Sequence, residues 1–286
     1  MRNRVLAIVL ALGLFAAGCG GTDGDEGSGA TSDTRSAAAA VASLAPTTTA
    51  GAAAPGDDAE VWDLLYIQDS HGFGVAELLG RRLEAELGVE VSVQDKAIGN
   101  LAAETVLQRI RGESPDDWSN LVRDAEVIVF FGNPEGSGDT SDIRTCISGS
   151  TRHREPPVRY ADEDWQPYRD LLDEVYAEIW KIRNGKPVVL RAVDFINPAI
   201  SAWRQAGIEP ECTAALEAMN RAIRAAAEAN AATLVSTYDL FNGPNHDQDP
   251  REKGWVGPDG IHMNAAGMAA IADVISAAGF EPTTAP

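Results

Sequence analysis

Between residues 61 and 277 apolar positions recur with two different periods, and the two periods alternate. Residues 61–67 are an apolar run. Over 75–87, Val75, Leu78, Leu79, Leu83 and Leu87 share one helical face, and Gly88 closes the helix. Val89, Val91 and Val93 then alternate with Glu90, Ser92 and Gln94, the pattern of a half-exposed strand at a sheet edge. A helix is predicted over 101–111, with Leu107 and Ile110 inward. Residues 125–131 form a nearly continuous apolar strand, stopped by Gly132, Asn133 and Pro134. Helices over 165–183 and 213–231 flank a strand at 188–193. A fifth strand is predicted over 234–240, a loop over 242–263 and a last helix over 265–277. Residues 135–163 and 195–211 lack periodicity and are expected to be irregular.

Strands that alternate with helices in this way form a parallel sheet covered on both faces. Ligands bind such sheets beyond the carboxyl ends of the strands. Ser70, Asn133 and the 242–263 loop all fall at such ends, so residues far apart in sequence are expected to share one crevice.

The chain ahead of residue 59 has a different character. Residues 1–18 read as a signal peptide: Arg2 and Arg4, an apolar run, then small residues before Cys19. The run falls short of the ~20 apolar residues that span a bilayer. Ala16-Ala17-Gly18-Cys19 resembles a bacterial lipoprotein cleavage box, which implies lipidation of Cys19; plain secretion is the alternative. Residues 19–58 are Gly-, Ala-, Ser- and Thr-rich, too poor in large apolar side chains to offset their ordering entropy, and read as a disordered tether. The folded domain is expected over 59–281, exported and present as a monomer, touching a membrane only through the lipid.

The formal net charge is −20, and loss of Arg2 and Arg4 with the signal takes it to −22. That balance excludes nucleic acid and an anionic membrane surface as partners. Cys146 and Cys212 remain as a pair in an oxidising compartment and are expected to form a disulfide, worth roughly 4 kcal/mol in the chain-entropy model.

The chemistry-bearing residues lie at the strand ends. Ser70 follows the first strand, where a helix N-terminus favours developing negative charge. A serine needs a base, and His262 is the candidate. Asp259 lies three residues upstream, and a turn at Gly260 can fold its carboxylate onto Nδ1, leaving Nε2 free to accept a proton. Candidate oxyanion donors are the N–H of Ser70, the N–H of Gly99 and the side chain of Asn133. His71 adjoins the nucleophile, either lining an acyl pocket, bonding substrate or lying at the surface. His153 is expected to be solvated. The carboxylates and amides of 242–250 lack the glycine and bidentate glutamate of a calcium loop, so no metal is expected there. Gly72-x-Gly74-x-x-Glu77 has Glu where a dinucleotide site has Gly, and no Gly-x-Ser-x-Gly elbow is present.

In this order the residues resemble an SGNH/GDSL-type hydrolase, over residues 61–280. Asp69, Ser70 and Gly74 match the family's first block, with Gln68 in place of its first glycine. Gly99, or nearby Asn100, stands for the second block's glycine, and Gly132-Asn133 for a shortened third block. Asp259 and His262 match the last block in full, and Asn264 and Gly267 follow it. The resemblance implies a three-layer α/β/α, flavodoxin-like fold with a five-stranded parallel sheet. It also implies a serine esterase without metal or organic cofactor, acting on a small-molecule or glycan acyl ester through Ser70, His262 and Asp259. The segments 135–163 and 195–211 are expected to wall the crevice. An acyltransferase with the same triad and a non-catalytic surface binding module are the rival readings.

Overall fold

The computed structural model describes residues 60–134 and 161–286. The chain divides into Met1–Thr48 and Thr49–Pro286, and all described residues belong to the second unit. The expected signal peptide, tether and lipidation site at Cys19 lie outside the described residues, as do His153 and Cys146.

Five strands form one parallel sheet: β1 (Val61–Ile67), β2 (Glu90–Asp95), β3 (Val127–Phe130), β4 (Val189–Val193) and β5 (Thr233–Val235). Their order is β2-β1-β3-β4-β5. β2 is an edge strand, as its alternation predicts, and its residues are partly exposed. β3 and β4 are buried throughout between two helical layers; β3 is a continuous apolar run, and β4 is apolar but for the buried Arg191. Helices α1 (Val75–Leu87) and α8 (Ala265–Ala277) pack together on one face. On the other, α4 (Gln166–Arg183) packs against α2 (Ala103–Ile110), α3 (Ser119–Asp124) and α6 (Glu209–Ala229). The fold is a three-layer α/β/α sandwich. The chain leaves β1 toward β2 on one side and returns to β3 on the other. The topological switch therefore lies between β1 and β3, at the ends that carry Ser70 and Asn133.

Three short helices correct the pattern-based expectations, and each starts at a local side-chain-to-backbone hydrogen bond rather than along a long apolar stripe; only the last has a true side-chain cap. At α3 the Asp117 carboxylate accepts the N–H of Ser119 at 2.8 Å. At α5 (Ile200–Ala206), inside the stretch expected to be irregular, the Asn197 side chain accepts the N–H of Ala199 at 3.0 Å, and Gly207 ends the helix at φ +70°. The expected strand over 234–240 ends at Val235, and α7 (Thr237–Asn242) takes over. Ser236 Oγ accepts the N–H of Asp239, and buried Asp194 accepts from Ser236 Oγ at 2.7 Å and from the N–H of Tyr238 at 2.9 Å. Burial pushes the Asp194 carboxyl up, against these hydrogen bonds. A cap such as Ser236 is worth about 1 kcal/mol, enough to turn the short β-branched and aromatic run after β5 into a helix.

Cys212 is fully buried on α6. No helix among the described residues is long and apolar enough to cross a membrane.

Candidate active site

The turn after β1 is built around Asp69. This carboxylate is 2 % exposed and accepts the N–H of His71 at 2.9 Å, so it caps a single 3-10 turn, Ser70–Gly72. It also meets His71 Nδ1 at 3.1 Å and the Asn133 side chain. Burial alone would raise its pKa; the His71 charge and the hydrogen bonds from His71 and Asn133 outweigh burial and hold the carboxyl below its usual range. Ser70 therefore opens a 3-10 turn, whereas sequence pattern set it directly before α1. That helix starts only at Val75, after Gly74 at φ +74°. Gln68 stands where the family pattern has glycine, and the room for it comes from Gly72. A Cβ there would meet Gln68 Cβ at 2.5 Å and the Tyr66 ring at 2.9 Å.

The two candidate oxyanion segments are stitched to this turn. After β2, Lys96 N–H donates to Tyr66 O at 2.8 Å and Ile98 N–H to Gln68 O at 3.0 Å. Gly99 is thus carried to the level of Ser70, and the chain turns away through Asn100 at φ +59°. Asn133 N–H donates to Leu101 O at 2.8 Å, and Ala103 N–H donates back to Asn133 O at 2.9 Å. This short parallel bridge needs Gly132, where a Cβ would come within 2.8 Å of Ala103 Cα. Tyr168 Oη–H from α4 donates to Gly132 O at 2.5 Å, a support that no sequence motif signals. The N–H groups of Ser70 and Gly99 have no acceptor among the described residues, which leaves both available to a ligand.

The Asp-x-x-His segment folds as its spacing predicts. Gly260 lies at φ +74°, and its N–H donates to Gly257 O. That turn brings Asp259 Oδ2 to 2.6 Å from His262 Nδ1, while Oδ1 accepts the N–H groups of Ile261 and His262, each at 3.0 Å. The Ile261 N–H is the largest of the causes that hold the Asp259 carboxyl down at about 2, followed by the His262 side chain and N–H. An ionised carboxylate only accepts, so the ring proton sits on Nδ1 and Nε2 carries the lone pair. Asn264 caps α8 by accepting the N–H groups of Ala266 and Gly267, and its amide donates to Gly254 O at 2.7 Å. A Cβ on Gly267 would collide with the Trp255 carbonyl. The two residues that follow the motif therefore pin its loop to α8.

The His262 ring lies over the Ser70 turn. It stacks on Phe73 (centroids 6.3 Å, 16° between planes) and stands 6.2 Å from the His71 ring. No hydrogen bond joins Ser70 Oγ to His262 among the described residues, and such bonds are often long before substrate binds. Ser70, Gly99, Asn133, Asp259 and His262 all fall at the carboxyl edge of the sheet. His71 is not a surface residue: its side chain is 13 % exposed and its ring edge packs on Phe195. His246 is held at 2.8 Å by Asp239 and at 3.4 Å by Glu217, within a loop bonded to its own surroundings.

The sheet order is that of a flavodoxin-like scaffold, and the family that the chain matches is one of ester-bond hydrolases. The chain belongs to the GDSL-like lipase/acylhydrolase family, whose model matches residues 48–270. The lipase Lip_vut3 from a goat rumen metagenome is similar in structure, with a TM-score of 0.54 at 19 % identity, covering 77 % of this chain and 98 % of its own. A variant of the acetyl xylan esterase Axe2 from Geobacillus stearothermophilus gives 0.51 at 16 % identity, covering 77 % and 95 %. At these identities the likeness speaks for the fold. No curated protein matches the chain.

Proposed function

We propose that this chain is an exported serine esterase that cleaves an acyl ester through Ser70, His262 and Asp259. The observation that carries the reading is the 2.6 Å contact between Asp259 Oδ2 and His262 Nδ1, on a ring that lies 6.2 Å from the ring of His71, the residue after Ser70. Ser70 Oγ attacks the ester carbonyl as its proton passes to His262 Nε2. The N–H groups of Ser70 and Gly99 and the Asn133 amide receive the oxyanion. The carbon–oxygen bond then breaks, and the proton on Nε2 goes to the departing alcohol. Water, deprotonated by the same nitrogen, releases the acid and frees Ser70. The substrate is an extracytoplasmic ester of a glycan or a small lipid. The same reading includes lipidation at Cys19 and a Cys146 to Cys212 disulfide.

A fluorophosphonate probe tests the nucleophile. The folded wild-type protein should be labelled on Ser70 and should hydrolyse short acyl esters; a folded protein that takes no label favours the binding-module reading. Release of free acid in the presence of added sugar acceptors, rather than transfer to them, separates hydrolase from acyltransferase.

Asn133→Ala should lower kcat by about 10²–10³-fold, the usual cost of one oxyanion donor. The same change removes a hydrogen bond from buried Asp69, so thermal unfolding should be followed alongside ester hydrolysis. A fall in activity that merely tracks the loss of folded protein would assign Asn133 to the turn instead.

A further inference from the structure

Phe73 is a large apolar side chain that the fold leaves open. It is 42 % exposed, and Ile98, also 37 % exposed, lies in the loop that carries Gly99. A single exposed apolar side chain is ordinary by itself; what singles out this ring is its place beside the candidate reaction centre. Its neighbours are two of the candidate site residues. On one side its ring lies nearly parallel to His262, with centroids 6.3 Å apart. On the other, its Cζ comes within 4.0 Å of where a Cβ would stand on Gly99. The ring thus spans from the candidate base to the candidate oxyanion glycine, one turn beyond Ser70. The backbone holds it there: Phe73 N–H donates to Ser70 O at 3.4 Å, and Gly74 turns the chain at once through φ +74°.

The direction of proton transfer tells which half of an ester meets this ring. The departing oxygen takes its proton from His262 Nε2, so it must come within hydrogen-bond reach of that nitrogen, about 2.6–3.2 Å. The carbons attached to that oxygen then lie beside the imidazole, where Phe73 is the stacked neighbour. The acyl carbons leave the carbonyl in the other direction.

We infer that Phe73 is a specificity-determining residue that binds the alcohol half of the substrate and selects alcohols with a flat, C–H-rich face, an aromatic ring or a sugar ring. The inference rests on the Ser70–His262 reading and adds to it the chemistry of the leaving group.

The test compares esters of one acid with alcohols of similar acidity: 2-phenylethyl acetate, 6-O-acetylglucose and ethyl acetate. In Phe73→Ala the kcat/KM ratio of at least one of the first two to ethyl acetate should fall about tenfold, the scale of one aromatic contact, mainly through KM. Which of the two falls identifies the ring as aryl-binding or sugar-binding. Phe73→Tyr should restore the ratio. The ratio of ethyl butanoate to ethyl acetate should stay the same in wild type and Phe73→Ala. A change in that acyl ratio with no change in the alcohol ratios would overturn the inference. So would an equal loss on every ester, the signature of a ring that only props His262. Wild-type protein that hydrolyses none of these esters and takes no phosphonate on Ser70 would instead remove the esterase reading, and the inference with it.

Discussion

Ser70→Ala should lower kcat for ester hydrolysis by about 10⁶-fold and leave the stability of the protein nearly unchanged. Where nucleophile and base act as a unit, removing the nucleophile costs about that much, and only the oxyanion donors and binding remain to accelerate the reaction. The side chain is half-buried and makes no hydrogen bond among the described residues, so its removal opens no buried polar group and should change stability by no more than about 0.5 kcal/mol. Burst and steady-state kinetics on a short acyl ester, with thermal unfolding in parallel, check both halves. A variant that retains a hundredth of the wild-type rate would exclude Ser70 as the nucleophile.

Asp259→Asn should cost about 10⁴-fold in kcat. An amide can donate to Nδ1 and thereby hold the imidazole in the tautomer whose Nε2 carries the proton, which cannot then act as a base. Because the Asp259 carboxyl lies at about 2, loss of activity in mild acid does not come from its protonation. The same shift has a consequence for stability, with a definite sign. The folded value lies below the ordinary 3.8, so the carboxylate stabilises the fold above about pH 4. That contribution disappears as pH falls toward 2. Asp259 is half exposed, and solvent keeps the effect small. Urea unfolding of wild type and Asp259→Asn should differ at pH 7 and converge near pH 2. A difference that grew on acidification would contradict the assigned contact.

Much of the scaffold was legible from period alone. Four of the five strands and the five longer helices follow from apolar spacing, because each buries a face or a run long enough to show its period. α3, α5 and α7 were not legible, since each is only six or seven residues long, too short to show a period, and only α7 carries a side-chain cap, at Ser236. Within the site, Asp259 and His262 could be paired from spacing because a three-residue separation across Gly260 leaves the carboxylate few other places to go. The pairing of Asp69 with His71, the support of Gly132 by Tyr168 and the placing of Phe73 beside His262 join residues whose separations, from 2 to 189 positions, carry no periodic signal. Gln68, a departure from the family's glycine, is accommodated by Gly72, four residues later.

Asp69-Ser70 and Asp259-x-x-His262 were thus determined by the sequence: residue types with the right chemistry, at the ends of the right elements. That His262 lies over the turn of Ser70 was decided only by tertiary structure. Parallel strands align by backbone hydrogen bonds that every residue type can make. The meeting of their ends depends on strand order and crossover direction, which no local pattern encodes. The open ring of Phe73 belongs to the same level, because its exposure is set by what packs around it in three dimensions.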